Sequence, residues 1–221
     1  MKSDLDAIMQ SRTLDAFIVF GNAENNPPIY YLTGGGHVSH ATVIKKRGEE
    51  PVYFFNDMER DEAAKSGLKL IPYSKYDYNE LVKKAGGDLL LASAMRYQIM
   101  LEELGLTKGR VGVYGHYDVS MGFGWRSRLG KLMPGIEFVG EARDESIFLR
   151  AMETKDENEV ARIRKMGQVT TAVVAKTRDF LTSCHVRDDE VLLDEDGSPL
   201  TVGDVHSKIR SWVSEQGAEL P

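Results

Sequence analysis

The sequence has 221 residues, of which 42% are hydrophobic and 28% are charged, as in globular proteins with a sizeable core. A formal net charge of −6 without a basic cluster argues against nucleic-acid binding, and no apolar run is long enough to span a bilayer. The acidic N-terminus is unlike a signal peptide and the single cysteine cannot form an internal disulfide, so we expect a cytoplasmic protein.

The first residues predict a helix, a buried strand and a loop. Ser3 and Asp6 are expected to cap a helix that runs to about Arg12. The apolar run at 17–20 predicts a buried strand. The paired prolines at 27–28 predict a loop, because proline cannot continue a helix or a strand ladder.

Strands and helices are expected to interleave from there to about residue 140. A mixed sheet flanked by helices, and therefore an α/β fold, follows from that order. The predicted strands are residues 42–45 and 51–55, which form a hairpin, and 68–72, 110–114 and 137–139; the predicted helices are 58–65, 89–104 and 120–133.

The last third of the sequence is predicted to be mostly helical. Thr154 and Glu157 match a capping box at the start of a long helix that runs to about Cys184. Thr201 and Asp204 form a second capping box, for a helix that ends near Gly217. Apolar residues recur at helical spacing along the first of these helices, at Val160, Ile163, Met166, Val173, Val174, Phe180 and Leu181.

Three segments together resemble one protein family. The run from Leu149 to Arg164 reads Leu-Arg-x-x-Glu-x-Lys-x-x-x-Glu-Val-x-x-Ile-Arg, and it resembles the start of the catalytic domain in the creatinase, prolidase and Xaa-Pro aminopeptidase family. Residues 15–19 resemble the first strand of that family's smaller domain, and residues 29–34 resemble its Tyr-Leu-Thr-Gly segment. The resemblance implies a creatinase-like N-terminal α/β domain over 1–145 and the opening helices of a pita-bread catalytic domain over 146–221.

The resemblance also implies a chemistry for a longer protein of which this chain would be the N-terminal portion, called the parent below. Most members hydrolyse the bond before proline with two divalent metals, for example Mn, Co or Zn, held by two Asp, one His and two Glu. Those ligands lie beyond the opening helices, so no residue of this sequence is assigned a catalytic or metal-binding role. We expect the chain to be inactive alone, to form a homodimer and to serve a parent that acts on proline-containing peptides. Creatinase-type members use no metal, which leaves the reaction of the parent open.

The glycine-rich segment 34–40 is the best candidate for substrate contact. Its glycines let the backbone approach a ligand closely, although it lacks the pattern of a phosphate-binding loop. In the family this segment faces the substrate pocket, commonly that of a neighbouring subunit. The candidate contact residues are Gly35, Gly36, His37 and His40; a plain solvent-exposed loop is the other interpretation.

Two further hypotheses remain open from the sequence. The chain could be a peptide-binding or chaperone-like module with a creatinase-like fold and no catalysis, using the segment 34–40 as its binding edge. It could also be an unrelated cytoplasmic α/β domain with a helical dimerisation tail, in which case the family-like segments are coincidental.

Overall fold

The computed structural model describes residues 4–22, 25–36 and 38–219, without the side chain of Arg143. The chain divides into two compact units, Met1–Thr154 and Lys155–Pro221. Ser3, the predicted cap of the first helix, lies outside the described residues. The carboxylate of Asp6 instead accepts a hydrogen bond from the backbone amide of Gly48, 2.8 Å away.

A six-stranded mixed sheet forms the centre of the first unit. The strands are β1 (Ala16–Gly21), β2 (Ala41–Lys46), β3 (Val52–Phe55), β4 (Lys69–Pro72), β5 (Gly109–Gly115) and β6 (Ile136–Val139), in the order β4-β3-β2-β1-β5-β6. Within this sheet β2 is antiparallel to β1 and β3, whereas β1–β5, β5–β6 and β3–β4 are parallel pairs. The predicted α/β fold and the hairpin are confirmed. Because β2 runs opposite to the other five strands, its start lies at the edge of the sheet where they end.

Helices cover both faces of this sheet. They are α1 (Leu5–Ser11), α2 (Pro27–Thr33), α3 (Arg60–Ala64), α4 (Tyr78–Lys84), α5 (Leu89–Glu103), α6 (Val119–Leu132) and α7 (Ile147–Ala151). Alternate side chains of β1 enter two cores: Phe17 and Val19 pack with residues of α1, α2 and α7, while Ile18 packs with residues of α5 and α6. Because β1 is buried on both faces, its sequence is a continuous apolar run and not an alternation of apolar and polar residues.

The prediction of a loop at Pro27–Pro28 is wrong, because these prolines open α2. Proline is tolerated in the first turn of a helix, where its missing N–H has no intrahelical partner to lose and its fixed φ suits the helix. The helix ends at Thr33, and Gly34 caps it with a left-handed φ of 80° and an N–H that donates to the carbonyl oxygen of Tyr30.

Glu141 connects the end of the first unit to its core. The Glu141 side chain is only 7% exposed, and its carboxylate accepts hydrogen bonds from the hydroxyl of Tyr114 at 2.6 Å and the backbone N–H of Ile147 at 3.0 Å. It also pairs with the Nε of Arg12 at 3.2 Å. Phe148 then packs edge-on against Tyr114, with ring centroids 5.0 Å apart. Helix α7 is therefore part of the first unit.

The described residues of the second unit, 155–219, form two helices and a small hairpin. Its elements are α8 (Glu157–Ser183), β7 (His185–Val186), β8 (Leu192–Leu193) and α9 (Val202–Glu215). The capping box of α8 is formed by Asp156 and Glu159, not by Thr154 as predicted, so the helix starts two residues later. The predicted box of Thr201 and Asp204 on α9 is confirmed.

A small apolar core holds α8 and α9 together. Val169 and Val173 of α8 pack against Val213 of α9. Other apolar residues of the predicted α8 stripe are exposed, among them Ile163 and Val174. None of the helices in the described part of the chain has both the length and the apolar character that a membrane crossing requires.

Candidate functional site

A cavity of about 700 Å³ opens at the edge of the sheet where most strands end. Its wall includes Phe20 and Gly21 from the end of β1, Thr42 from the start of β2, and Tyr117 from the segment after β5. Residues that follow β3 and β4 and one side of α5 complete it. In open α/β sheets this edge is the usual place for ligands, because the loops that follow the strands diverge there.

Tyrosine side chains form much of this cavity wall, and their hydroxyls are bound to the protein. The Tyr73 hydroxyl donates to Thr42 Oγ1 at 2.6 Å, and the Tyr97 hydroxyl lies 2.7 Å from the same atom. Tyr76 donates to a carboxylate oxygen of Glu103 at 2.8 Å. These bonds fix the rings, so the cavity presents rigid aromatic surfaces.

Burial keeps the tyrosine hydroxyls protonated. Desolvation is the main cause that raises the pKa of Tyr73 well above its ordinary value, and it also raises the pKa of Tyr97. Burial and then the hydrogen bond to Glu103 raise the pKa of Tyr76. A phenol that stays protonated is a poor nucleophile, so these residues are suited to binding and not to proton abstraction.

Arg96 of α5 brings a positive charge to the cavity. Its guanidinium carbon lies over the ring of Tyr73, 4.6 Å from the centroid, and over that of Tyr78 at 4.9 Å. Its Nε atom is buried and has no hydrogen-bond partner among the described residues. The rings support the cation through their π faces, but they do not satisfy its N–H groups.

The carboxylates in the cavity wall are occupied by neighbouring groups. Asp57 accepts a hydrogen bond from the hydroxyl of Ser74 at 2.9 Å. Asp77 caps α4, accepting from the backbone N–H of Glu80 at 3.1 Å. The acidic side chains therefore stabilise local structure, whereas the arginine has no such partner in the described structure.

The structure separates the residues that the sequence singled out for substrate contact. His37 lies outside the described residues. His40 is exposed and lines the cavity, with its Nδ1 atom 3.4 Å from Ser39 Oγ. Gly35, at a φ of 90°, packs under the ring of Tyr30, and a Cβ at Gly36 would approach the carbonyl oxygen of Glu62 to 3.0 Å. Among the described candidates, His40 is the one that the fold brings to the cavity.

Sequence reasoning missed Arg96 and the tyrosine wall. The signal that could have found them is the dense run Tyr73-Ser-Lys-Tyr76-Asp-Tyr78, which is unusually rich in aromatic residues for a surface connection. In the part of the chain that the structure describes, His, Cys, Asp and Glu side chains do not gather in groups of three or more that could hold a metal ion. The described residues therefore do not fit a two-metal centre.

The fold and the cavity define the first unit as an open α/β-sheet domain with a cavity at the carboxyl edge of most of its strands. More particularly, the chain belongs to the creatinase/prolidase N-terminal domain family, whose model matches residues 2–143. The resemblance drawn from the sequence is thereby confirmed.

Solved structures of peptidases share this fold. A prolidase from Pyrococcus furiosus is 14% identical with a TM-score of 0.58, over 98% of this chain and 53% of that one. An X-Pro aminopeptidase from Thermotoga maritima MSB8 is 13% identical with a TM-score of 0.59, over 99% of this chain and 50% of that one. The chain thus spans about half the length of these structures, and at such identities the likeness shows the fold alone. A search of curated proteins found no match.

Proposed function

We propose that this chain is the N-terminal portion of an Xaa-Pro peptidase-like metallohydrolase of the aminopeptidase P or prolidase type, and that it does not cleave peptides alone. The observation that carries the proposal is the match of the creatinase/prolidase N-terminal domain over residues 2–143. The likeness in fold to a prolidase and an X-Pro aminopeptidase continues through the second unit and covers about half of each peptidase.

In this proposal the residues from 146 onward open the pita-bread catalytic domain, with α7 at their start packed on the core of the first unit, and the rest of that domain carries the chemistry. Two divalent ions such as Mn, Co or Zn would be held there, where they would lower the pKa of a bound water and polarise the peptide carbonyl. The substrates of the parent would be proline-containing peptides in the cytoplasm.

The N-terminal domain would contribute to oligomerisation and to the shape of the substrate pocket. Gly34–His40 is the proposed point of contact with the pocket of a neighbouring subunit in a homodimer. Its described residues are anchored on both sides: Gly34 closes α2, and the backbone N–H of Ser39 donates to a carboxylate oxygen of Glu59 at 2.8 Å. This anchoring supports the proposal because a contact loop is effective only when the scaffold positions it.

An activity assay tests the catalytic part of the proposal. The purified chain is incubated with a series of Xaa-Pro dipeptides and Mn²⁺, Co²⁺ or Zn²⁺, and released proline is measured against a chelator-treated control. We expect no release above that control. Metal-dependent release of proline by pure material would contradict the proposal.

Two further measurements test the remaining parts. We expect the source gene, read past the codon for Pro221, to continue in frame through a segment that contains two Asp, one His and two Glu in that order. A stop codon there would favour the peptide-binding module instead. Light scattering after size exclusion is expected to give the mass of a homodimer, and a monomer at all concentrations would refute the role in oligomerisation.

A further inference from the structure

We propose that the cavity at the carboxyl edge of the sheet binds a small organic carboxylate with an aromatic or apolar body. The Arg96 guanidinium would hold the carboxylate, and the body would lie against the tyrosine rings. This site belongs to the first unit alone and is independent of any peptidase activity.

The guanidinium of Arg96 lacks a hydrogen-bond partner in the described part of the chain. A buried N–H without a hydrogen-bond partner is rare in folded proteins and destabilises the fold, so each case requires an explanation. Arg96 has such an Nε. The carboxylates at the two ends of α5, Asp88 and Glu103, pair with Arg128 and Lys75 instead. The buried Nε itself is closed to the cavity, but the terminal N–H groups of the same guanidinium also form no hydrogen bond within the described part of the chain, and a ligand carboxylate would accept from them.

The charge of the cavity wall indicates the kind of anion. Arg96 is the one Lys or Arg among the described residues of the wall, and Asp57 and Asp77 lie in the same wall. A phosphate dianion would meet one cation and two carboxylates, whereas a carboxylate carries a single negative charge. Arginine also presents planar N–H pairs that match a carboxylate in a bidentate arrangement.

The aromatic wall indicates the rest of the ligand. Tyr76 and Tyr97 are only 6% and 8% exposed and direct their hydroxyls to protein partners, so they close the cavity with ring carbons. Tyr117, which lies in the same wall, is 47% exposed. Rings that are held in advance lose little conformational entropy when a ligand packs against them. The cavity volume of about 700 Å³ lies within the range of small-molecule sites.

A titration of the complete chain followed by ¹H–¹⁵N NMR tests the proposal, with phenylacetate as the probe. We expect phenylacetate to shift the Arg96 Nε–H resonance and the backbone amides of Thr42 and Tyr97. Two probes separate the parts of the ligand: 2-phenylethanol keeps the body without the charge, and inorganic phosphate keeps a charge without the body. Each is expected to bind about tenfold more weakly than phenylacetate.

Variants of the arginine provide the decisive comparison. Arg96→Met keeps the length of the side chain and removes the charge, and we expect it to weaken phenylacetate binding at least about tenfold. Its melting temperature is measured in parallel, because the variant loses both the unsatisfied Nε and the cation–π contacts with Tyr73 and Tyr78. Arg178→Met is the matched control: Arg178 is exposed and already paired with Asp179 at 2.7 Å, so binding should be unchanged.

Other outcomes would overturn the proposal. It fails if phenylacetate shifts none of the named resonances, if Arg96→Met binds phenylacetate as tightly as the wild type, or if phosphate binds more tightly than phenylacetate. If Arg96→Met does not fold, Arg96→Lys decides the matter, because lysine keeps the charge but lacks the planar fork. Weaker phenylacetate binding by a folded Arg96→Lys supports the proposal, and unchanged binding refutes it.

Discussion

Replacing Glu141 by alanine is expected to lower the free energy of unfolding of the first unit by about 3 kcal/mol. The Glu141 carboxylate joins three parts of the fold, because it accepts from Tyr114 on β5, from the first residue of α7, Ile147, and from Arg12 after α1. Its side chain is almost completely buried. Alanine removes every one of these acceptor contacts at once.

The magnitude follows from what each partner loses. The Tyr114 hydroxyl and the Ile147 N–H would lose an acceptor in a largely buried setting, at roughly 1–3 kcal/mol each. Arg12 loses less, because it keeps a second carboxylate, that of Glu145, at 2.8 Å. Since neighbouring contacts do not add fully, about 3 kcal/mol is the expected total. Glu141→Gln keeps the shape and part of the hydrogen bonding, so we expect a loss of roughly 1 kcal/mol.

Urea unfolding followed by the fluorescence of Trp125 measures this effect, in a Trp212→Phe background that removes the signal of the second unit. Glu137→Ala is the matched control, because Glu137 is 68% exposed and its carboxylate lies 3.5 Å from Arg110. We expect that control to lose less than about 1 kcal/mol. The reasoning is refuted if Glu141→Ala is no more destabilising than Glu137→Ala.

Two further predictions concern helix caps. Asp156→Ala should lower the stability of the second unit by about 1 kcal/mol in thermal unfolding followed by circular dichroism, whereas Thr154→Ala should leave it unchanged. For Asp88, the backbone N–H of Leu91 and then Arg128 hold the pKa below its ordinary 3.8. Its stabilising effect is therefore complete above that value and is lost as the pH falls through the lower folded-state pKa. Asp88→Asn should flatten the fall in urea midpoint between about pH 5 and pH 2.

Local patterns were sufficient to predict the six strands of the sheet, but neither their order nor the details of the helix ends. The short apolar run at 17–20 is compatible with a buried strand alone, and the structure contains that strand as β1. Pro27–Pro28 is compatible with two structures, since proline fits a loop as well as the first turn of a helix. Thr154 and Asp156 are both good caps, and the choice between them depends on where the backbone leaves α7. Short helices such as α4 carry too few periodic positions to be recognised.

The cavity could not be predicted because its parts are distant in sequence. Phe20, Arg96 and Tyr117 meet only through the strand order of the sheet, which no local pattern specifies. The absence of a partner for the Arg96 Nε is likewise a property of the folded arrangement. By contrast, His40 was predicted from its place beside a glycine-rich segment, and its role in contact with substrate stays a prediction.

The position of β1 in the sheet also affects how the protein is made. Ile18 of β1 pairs with Ile44 on one side and with Val113, much later in the chain, on the other. At roughly 5–20 residues per second, ribosomes need several seconds between completing β3 and completing β5. During that interval the nascent chain can form the β1–β2–β3 meander, but the other side of its apolar β1 strand has no partner. An unpaired apolar edge is a template for aggregation, so we expect the newly made chain to be most vulnerable to misassembly in those seconds.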